Sequence, residues 1–258
     1  MNNLSINNNF LFVFEVEYDG TNYAGFQVQP NTKTIQGELQ KALKNIYKTK
    51  ITINASGRTD AGVHARKQIF HFEPPKIIEK INLKLAINSQ MNGDIRIRKV
   101  GIANTDFHSR FSAIERTYKY NILLGNDIFT KDYSWQLNYN IDIKKLKKCA
   151  KIIKGEHDFT AFCNAKSDAK HKICTIKKSN WQIKKNSLIY TITANRFLHN
   201  MVRSLVGNMI KVGIGEKTVD NFQRILDEKT RYFDIYTAPP QGLFLEYVKY
   251  KKQIKWFE

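Results

Sequence analysis

The chain has 258 residues, 42% of them hydrophobic and 12% aromatic, which are ordinary proportions for a folded protein. No apolar run approaches the roughly 18 residues needed to span a bilayer. The asparagine-rich start lacks the basic residues and the apolar stretch of a signal peptide. These features predict a cytoplasmic protein without membrane attachment, and they predict a disordered tail over residues 1–9.

The strongest compositional signal is a formal net charge of +19, from 42 Lys and Arg against 23 Asp and Glu. A surface this basic repels itself until a polyanion neutralises it, and binding to phosphates releases condensed counterions. The charge therefore favours a nucleic acid partner. Because lysine dominates, a compositional bias without any ligand is the alternative interpretation.

The three cysteines, Cys149, Cys163 and Cys174, are widely spaced and form no C-x-x-C pair. Their odd number and spacing argue against a disulfide framework and against a structural zinc site. A catalytic thiol stays open beside the more common role of a buried, unreactive side chain.

The first half of the chain is predicted to mix strands and helices, because apolar residues recur there at both spacings. In chain order, strands are predicted over 12–18, 51–55, 69–72 and 95–100, and helices over 35–46 and 81–87. A glycine-punctuated loop, residues 56–62, separates the second strand from the third. Together these elements are assigned to a first unit, residues 10–110.

The second half repeats this mixture, and it is assigned to a second unit, residues 111–258. Strands are predicted over 118–124, 175–184, 188–194 and 243–250, and helices over 143–153 and 197–210. Strands and helices do not alternate regularly, which argues against a doubly wound parallel sheet. The pattern therefore predicts an α+β protein of two similar units.

The most informative segment is SGRTDAGVHA, residues 56–65. It places Asp60 in a loop whose glycines permit tight turns and the close approach of a ligand. Arg58 and Arg66 flank this carboxylate, and a carboxylate near arginine stays ionised and can act as nucleophile or base. Taken alone, the same spacing fits an Asx turn in which Asp60 caps its own backbone. The loop offers one carboxylate only, whereas a metal-dependent nuclease needs a cluster.

The run GRTDAGVH, residues 57–64, resembles the signature of the tRNA pseudouridine synthase A family, in which it holds the catalytic aspartate. Further segments resemble the family in the same order, from about residue 12 to residue 250. They are EYDG at 17–20, FHSRFSA at 107–113, RTYKY at 116–120, GEHDFTAF at 155–162, NRFLHNMVR at 195–203 and QGLFL at 241–245. The chain departs from the family at Phe26, Ser109 and Asn200, where tryptophan, alanine and histidine are more usual.

The resemblance implies the pseudouridine synthase fold: two α+β units with antiparallel sheets, flanked by helices, around a central basic cleft. It also implies a reaction that breaks the N1–C1′ bond of uridine, turns the uracil and rejoins it through C5. The product is an isomer, so we expect no cofactor and no metal. The family's usual targets are positions 38, 39 and 40 of the tRNA anticodon stem-loop, and the family works as a homodimer.

The resemblance also implies a role for each site residue. Asp60 would be the catalytic carboxylate, acting as nucleophile or base. Arg58 resembles the arginine that replaces the extruded base, although a phosphate clamp or a partner for Asp60 fits it equally. Tyr118 resembles the tyrosine that packs on uracil, and Leu245 a leucine of the pocket wall; each would otherwise be a core residue. Arg203 resembles the arginine paired with the catalytic aspartate, which suits a cation in an apolar helix.

The remaining basic residues are candidates for binding RNA. Arg66 and Arg110 are predicted to contact the substrate, and lysines over 144–154, 170–178 and 249–255 could contact phosphates or form solvated faces. His64 and His199 are expected to form structural hydrogen bonds. Two rival functions stay open: a paralogue that modifies ribosomal RNA, and a non-catalytic RNA-binding protein.

Overall fold

The computed structural model describes residues 10–75, 80–164, 171–229, 234–251 and 254–257, except for the side chains of residues 80 and 81. The predicted disordered tail, residues 1–9, lies outside these ranges. The described residues up to 114 and from 247 onward form one compact unit, and residues 115–246 form another. The predicted division into residues 10–110 and 111–258 stays a prediction.

Strands and helices are mixed along the described chain without regular alternation, which confirms the predicted α+β class. The strands are β1 Phe10–Tyr18, β2 Asn54–Ala55, β3 His64–Phe72, β4 Ile95–Asn104, β5 Ala113–Leu124, β6 Trp135–Leu137, β7 Gly155–Asp158, β8 Ile173–Lys184, β9 Ser187–Ala194, β10 Leu243–Tyr250 and β11 Lys255–Phe257. The α-helices are α1 Ile35–Tyr47, α2 Lys80–Asn88, α3 Ile143–Ile152, α4 Met201–Gly213 and α5 Val219–Glu228.

The first unit contains an antiparallel sheet in the order β11-β4-β1-β3, with β2 paired to β3. Most of β1 is buried, and the ring of Phe14 stacks on Phe70 and Phe72 of β3, with centroids 4.8 and 5.5 Å away. Helix α1 packs on the same aromatic cluster through Tyr47, whose ring meets Phe72 edge-on at 5.7 Å. Its N-terminus is capped by Thr34, which accepts from the amide of Gly37.

In the second unit β5, β9, β8 and β7 pair in that order as antiparallel neighbours, and β6 pairs with β5 in parallel. Helix α4 buries eleven of its thirteen residues. Trp181 on β8 donates to the sulfur of Met209 on α4 at 3.4 Å, which joins the helix to the sheet. Helices α3 and α5 pack beside α4.

Several predicted boundaries are wrong, among them the starts of β3 and α4. Strand β3 begins at His64, five residues before its predicted start at Ile69, because pairing with β1 orders a stretch whose side chains do not alternate. Helix α4 begins at Met201 and not at Phe197, because Asn200 adopts a left-handed conformation with φ 63°. Asparagine tolerates this conformation better than most residues, and it ends the turn that precedes the helix.

Candidate active site

Backbone hydrogen bonds hold the loop that carries Asp60 against the segment after β1. The amide of Phe26 donates to the carbonyl of Thr59 at 3.0 Å, and the amide of Gly62 donates to the carbonyl of Tyr23 at 3.3 Å. Within the loop, the amide of Val63 donates to the carbonyl of Asp60 at 3.2 Å and closes a tight turn. The backbone around the carboxylate is therefore fixed from both sides.

Two glycines allow this close approach. At Gly25, with φ 98°, a Cβ atom would lie 2.8 Å from the carbonyl oxygen of Thr59 and 3.2 Å from the amide nitrogen of Ala61. At Gly20 it would lie 2.1 Å from the carbonyl oxygen of Val63. Gly20 ends the EYDG segment that resembles the family, and the structure supplies the steric reason for glycine at both positions.

Side chains on β1 and β3 complete the support. The hydroxyl groups of Tyr18 and Thr59 lie 2.9 Å apart, and burial raises the pKa of Tyr18 to about 12, so this phenol stays neutral. The amide nitrogen of Gln68, a fully buried side chain, donates to the carbonyl of Gly57 at 2.9 Å. The hydroxyl of Ser56 donates to the oxygen of the same amide. Sequence reasoning missed Gln68, since a glutamine within a strand gives no local signal of burial.

His64 fixes the other end of the loop. Its Nδ1 accepts a hydrogen bond from the amide of Gly20 at 3.1 Å, and it lies 3.2 Å from a carboxylate oxygen of Asp19. The imidazole is 1% exposed, so His64 contributes structural hydrogen bonds as expected. Asp60 itself is half-buried, and Arg58 is exposed.

Tyr118, Arg203 and Leu245 belong to the second unit. Tyr118 lies on β5, opposite Ile192, and its ring meets Phe197 edge-on at a centroid distance of 5.1 Å. Leu245 lies on β10 and is 1% exposed. Both side chains are therefore largely enclosed, and their predicted contacts with uracil stay predictions.

Arg203 projects from the first turn of α4. Its Nε donates to the carbonyl of Ala238 at 2.8 Å, and its Nη1 lies 3.4 Å from the side-chain oxygen of Asn200. The amide of Ala238 donates back to the carbonyl of Arg203 at 3.1 Å. These bonds fix the plane of the guanidinium group, and they give Asn200 a structural role where the family more often has histidine. The predicted pairing of Arg203 with Asp60 stays a prediction.

Most of the other predicted RNA contacts are exposed where the structure describes them. Arg66 lines a groove of about 540 Å³ on the first unit, beside Lys67, Arg96 and Arg98. Arg110 places its guanidinium carbon 5.5 Å from the ring centroid of Phe111. Most of the lysines over 144–154 are exposed on and after α3. Within the other two lysine-rich stretches, residue 170 and residues 252–253 lie outside the described ranges.

The three cysteines are buried and form no disulfide with one another. Burial raises the pKa of Cys149 and that of Cys174 to about 12, so both thiols stay protonated and are poor nucleophiles at neutral pH. In the part of the chain that the structure describes, no group of three or more His, Cys, Asp and Glu side chains could hold a metal ion. Among the same residues, no helix is both long and apolar enough to cross a membrane.

A carboxylate on a rigid, glycine-bounded loop, within a strongly basic α+β fold, is the arrangement of a pseudouridine synthase. The chain belongs to the tRNA pseudouridine synthase family, whose sequence model matches residues 15–112 and 149–251. It is therefore an enzyme of the isomerase class with the pseudouridine synthase fold.

Proteins named tRNA pseudouridine synthase A resemble it over most of its length. That of Geobacillus sp. (strain WCH70) is 40% identical over 238 residues, covering 91% of this chain and 96% of the relative. Those of Halalkalibacterium halodurans and Bacillus subtilis (strain 168) are 39% and 38% identical, covering 89% and 91% of this chain and 88% and 97% of the relatives.

Proposed function

We propose that this enzyme isomerises uridine to pseudouridine in tRNA, at positions 38, 39 and 40 of the anticodon stem-loop, with Asp60 as the catalytic carboxylate. The observation that carries the proposal is the loop around Asp60. Hydrogen bonds from β1, from the segment after it and from β3 hold the loop, while Asp60 stays half-buried and Arg58, two residues before it, is exposed. A carboxylate positioned in this way has little freedom to lose when it meets a bound ribose or uracil.

The reaction divides the work among four residues. Asp60 acts as nucleophile or base while the N1–C1′ bond breaks. Tyr118 and Leu245 retain the detached uracil so that it turns and rejoins through C5. Arg203, held by Ala238, keeps Asp60 ionised by pairing with it, since an arginine stabilises a neighbouring carboxylate.

A base within a stem must first leave the stack, which costs a few kcal/mol. Arg58 is exposed on the loop, two residues before Asp60. A guanidinium group is planar and can stack in place of the extruded base, which offsets part of this cost. Arg66 and Arg110 bind the backbone of the same RNA.

The proposed setting is a cytoplasmic homodimer that binds tRNA, with a basic cleft holding the RNA backbone. The net charge of +19 supports a polyanionic substrate. The homodimer is proposed because members of the family work as homodimers. In a homodimer one tRNA could contact both subunits.

The test compares Asp60→Asn with the wild type for release of tritium from tRNA labelled at uracil C5. We expect release by the wild type and none by the variant, with tRNA binding retained. Asp132→Asn is the matched control, because Asp132 is an exposed aspartate in a loop of the second unit. It should release tritium at the wild-type rate.

Other outcomes identify the rivals. Release from ribosomal RNA but not from tRNA by the wild type would assign the chain to the paralogue. Tight binding without release from either RNA would contradict catalysis altogether. The proposed positions are then tested with tRNA transcripts in which U38, U39 or U40 is changed singly to C. Each change should remove the tritium release that comes from that position.

A further inference from the structure

Phe111 is an apolar side chain that the fold leaves 76% exposed, in the segment after β4. Its ring contacts two polar neighbours. The ring centroid of His108 is 4.5 Å away at an angle of 37°, and the guanidinium carbon of Arg110 is 5.5 Å from the Phe111 centroid. We call residues 107–112 the Phe111 turn.

Hydrogen bonds inside the Phe111 turn fix the direction of this ring. The Nδ1 atom of His108 accepts from the amide of Arg110 at 3.1 Å and lies 3.4 Å from the amide of Phe111. The carbonyl of His108 accepts from the amide of Ser112 at 2.8 Å, and the hydroxyl of Ser112 accepts from the amide of His108 at 3.0 Å. The turn is therefore closed at both ends.

A second set of bonds ties the turn to the sheet. The Nδ1 atom of His71, on β3, accepts from the amide of Ser109 at 3.2 Å and lies 2.8 Å from the Ser109 hydroxyl. The hydroxyl of Tyr250, on β10, donates to the carbonyl of Ser109 at 2.8 Å. Ser109 is fully buried, so the serine found where the family more often has alanine adds a contact at this anchor.

Leaving this ring exposed forgoes the stabilisation that burial of a phenylalanine side chain contributes. A rigid aromatic ring beside a cation has a known use in RNA-binding proteins. An unpaired base stacks on the ring while the cation binds a phosphate. The charge of the protein is complementary to such a ligand.

We propose that Phe111 is a stacking platform for an unpaired nucleobase of the RNA substrate, and that Arg110 binds the phosphate next to that base. The inference rests on the proposed function only in taking RNA as the ligand. It assigns a contact away from the carboxylate, and it adds an unpaired base to what the enzyme recognises.

Phe129 provides the matched control. It is 84% exposed in a loop of the second unit. Unlike Phe111, it makes no ring or cation contact with other residues that the structure describes. Truncation of Phe129 therefore removes a similar exposed ring without removing an organised platform.

The experiment measures dissociation constants for tRNA and for a short oligouridylate by fluorescence anisotropy, in wild type, Phe111→Ala, Phe111→Tyr, Phe111→Leu and Phe129→Ala. We expect Phe111→Ala and Phe111→Leu to weaken binding about tenfold, because stacking is lost in both. Phe111→Tyr and Phe129→Ala should bind as the wild type does. Arg110→Ala should reduce the steepness of log affinity against log salt by about one, because one phosphate contact is lost. Phe111→Ala should leave this steepness unchanged.

Three results would overturn the inference. Unchanged affinity in Phe111→Ala would show that the ring does not contact RNA. Full affinity in Phe111→Leu would show an apolar contact without stacking. A smaller sedimentation mass for Phe111→Ala, with unchanged affinity for the oligouridylate, would assign the ring to a protein interface. The tritium assay distinguishes the two proposals. If RNA binding depends on Phe111 but the wild type releases no tritium, only the proposed function is contradicted. If the wild type releases tritium but binding does not depend on Phe111, only the stacking platform is contradicted.

Discussion

At the scale of single residues, the catalytic loop depends on the absence of side chains as much as on their presence. Gly25 and Gly20 let the backbone on either side of Asp60 lie directly on the segment after β1. Gly57 belongs to the same motif, yet a Cβ atom there would meet nothing within 4 Å. The motif therefore contains glycines with different functions, and only the tertiary contacts distinguish them.

Gly25→Ala should reduce the free energy of unfolding by about 1–3 kcal/mol, because it combines a left-handed backbone with a steric clash against Thr59. Gly57→Ala should change this free energy by no more than about 0.5 kcal/mol. Urea denaturation of both variants measures the difference. Equal stability of the two variants would contradict the steric role of Gly25.

The sequence indicated some of the polar residues around the loop but not others. The motif pointed to Asp60 and Arg58, because a carboxylate and an arginine between glycines are unusual enough to suggest chemistry. Gln68 gave no such signal, although its buried amide holds the carbonyl of Gly57. A hydrogen bond across eleven residues depends on the pairing of strands, and local sequence does not encode it.

At the scale of elements, the start of β3 and the start of α4 show why predicted boundaries failed. Residues 64–68 form a strand because β1 supplies the pairing partners, not because their side chains alternate. The apolar periodicity predicted that α4 begins at Phe197, but the left-handed backbone conformation of Asn200 interrupts the helix before Met201. The apolar residues before that point are used differently, and Phe197 packs on Tyr118 instead of continuing the helix.

The Phe111 turn makes stability depend on pH. Burial lowers the pKa of His71 from 6.5 to about 4, with a further lowering from His108. Burial, followed by the charge of Arg110, also lowers the pKa of His108. Both imidazoles accept backbone hydrogen bonds through Nδ1, so the folded state favours their neutral forms.

In the window between pH about 6.5 and about 4, the folded protein binds fewer protons at His71 than the unfolded chain does. The contribution of His71 to the free energy of unfolding is complete above pH 6.5 and is lost as the pH falls towards 4. We expect this site to lower the free energy of unfolding by about 2 kcal/mol between pH 7 and pH 5. His71→Gln cannot titrate and should show a smaller decrease in parallel urea denaturations. An identical decrease in both proteins would refute the role assigned to His71.

At the scale of the whole molecule, the charge of +19 should make RNA binding strongly dependent on salt. A protein that contacts six or more phosphates loses roughly a thousandfold or more in affinity between 50 and 200 mM salt. We expect a loss of that size for tRNA, measured as the dissociation constant across a salt series. A shallow dependence would instead support the view that the lysine excess is compositional bias.

The sequence by itself determined the family, the α+β class and the candidate carboxylate, because these depend on an ungapped motif and on periodic apolar positions that local chemistry preserves. The tertiary structure decided where β3 and α4 begin, which glycines are sterically required, and how Gln68, His64 and Ala238 fix the residues around the site. It also decided that Phe111 is exposed and firmly oriented. Each of these depends on contacts between distant parts of the chain, and such contacts exist only once the strands have paired.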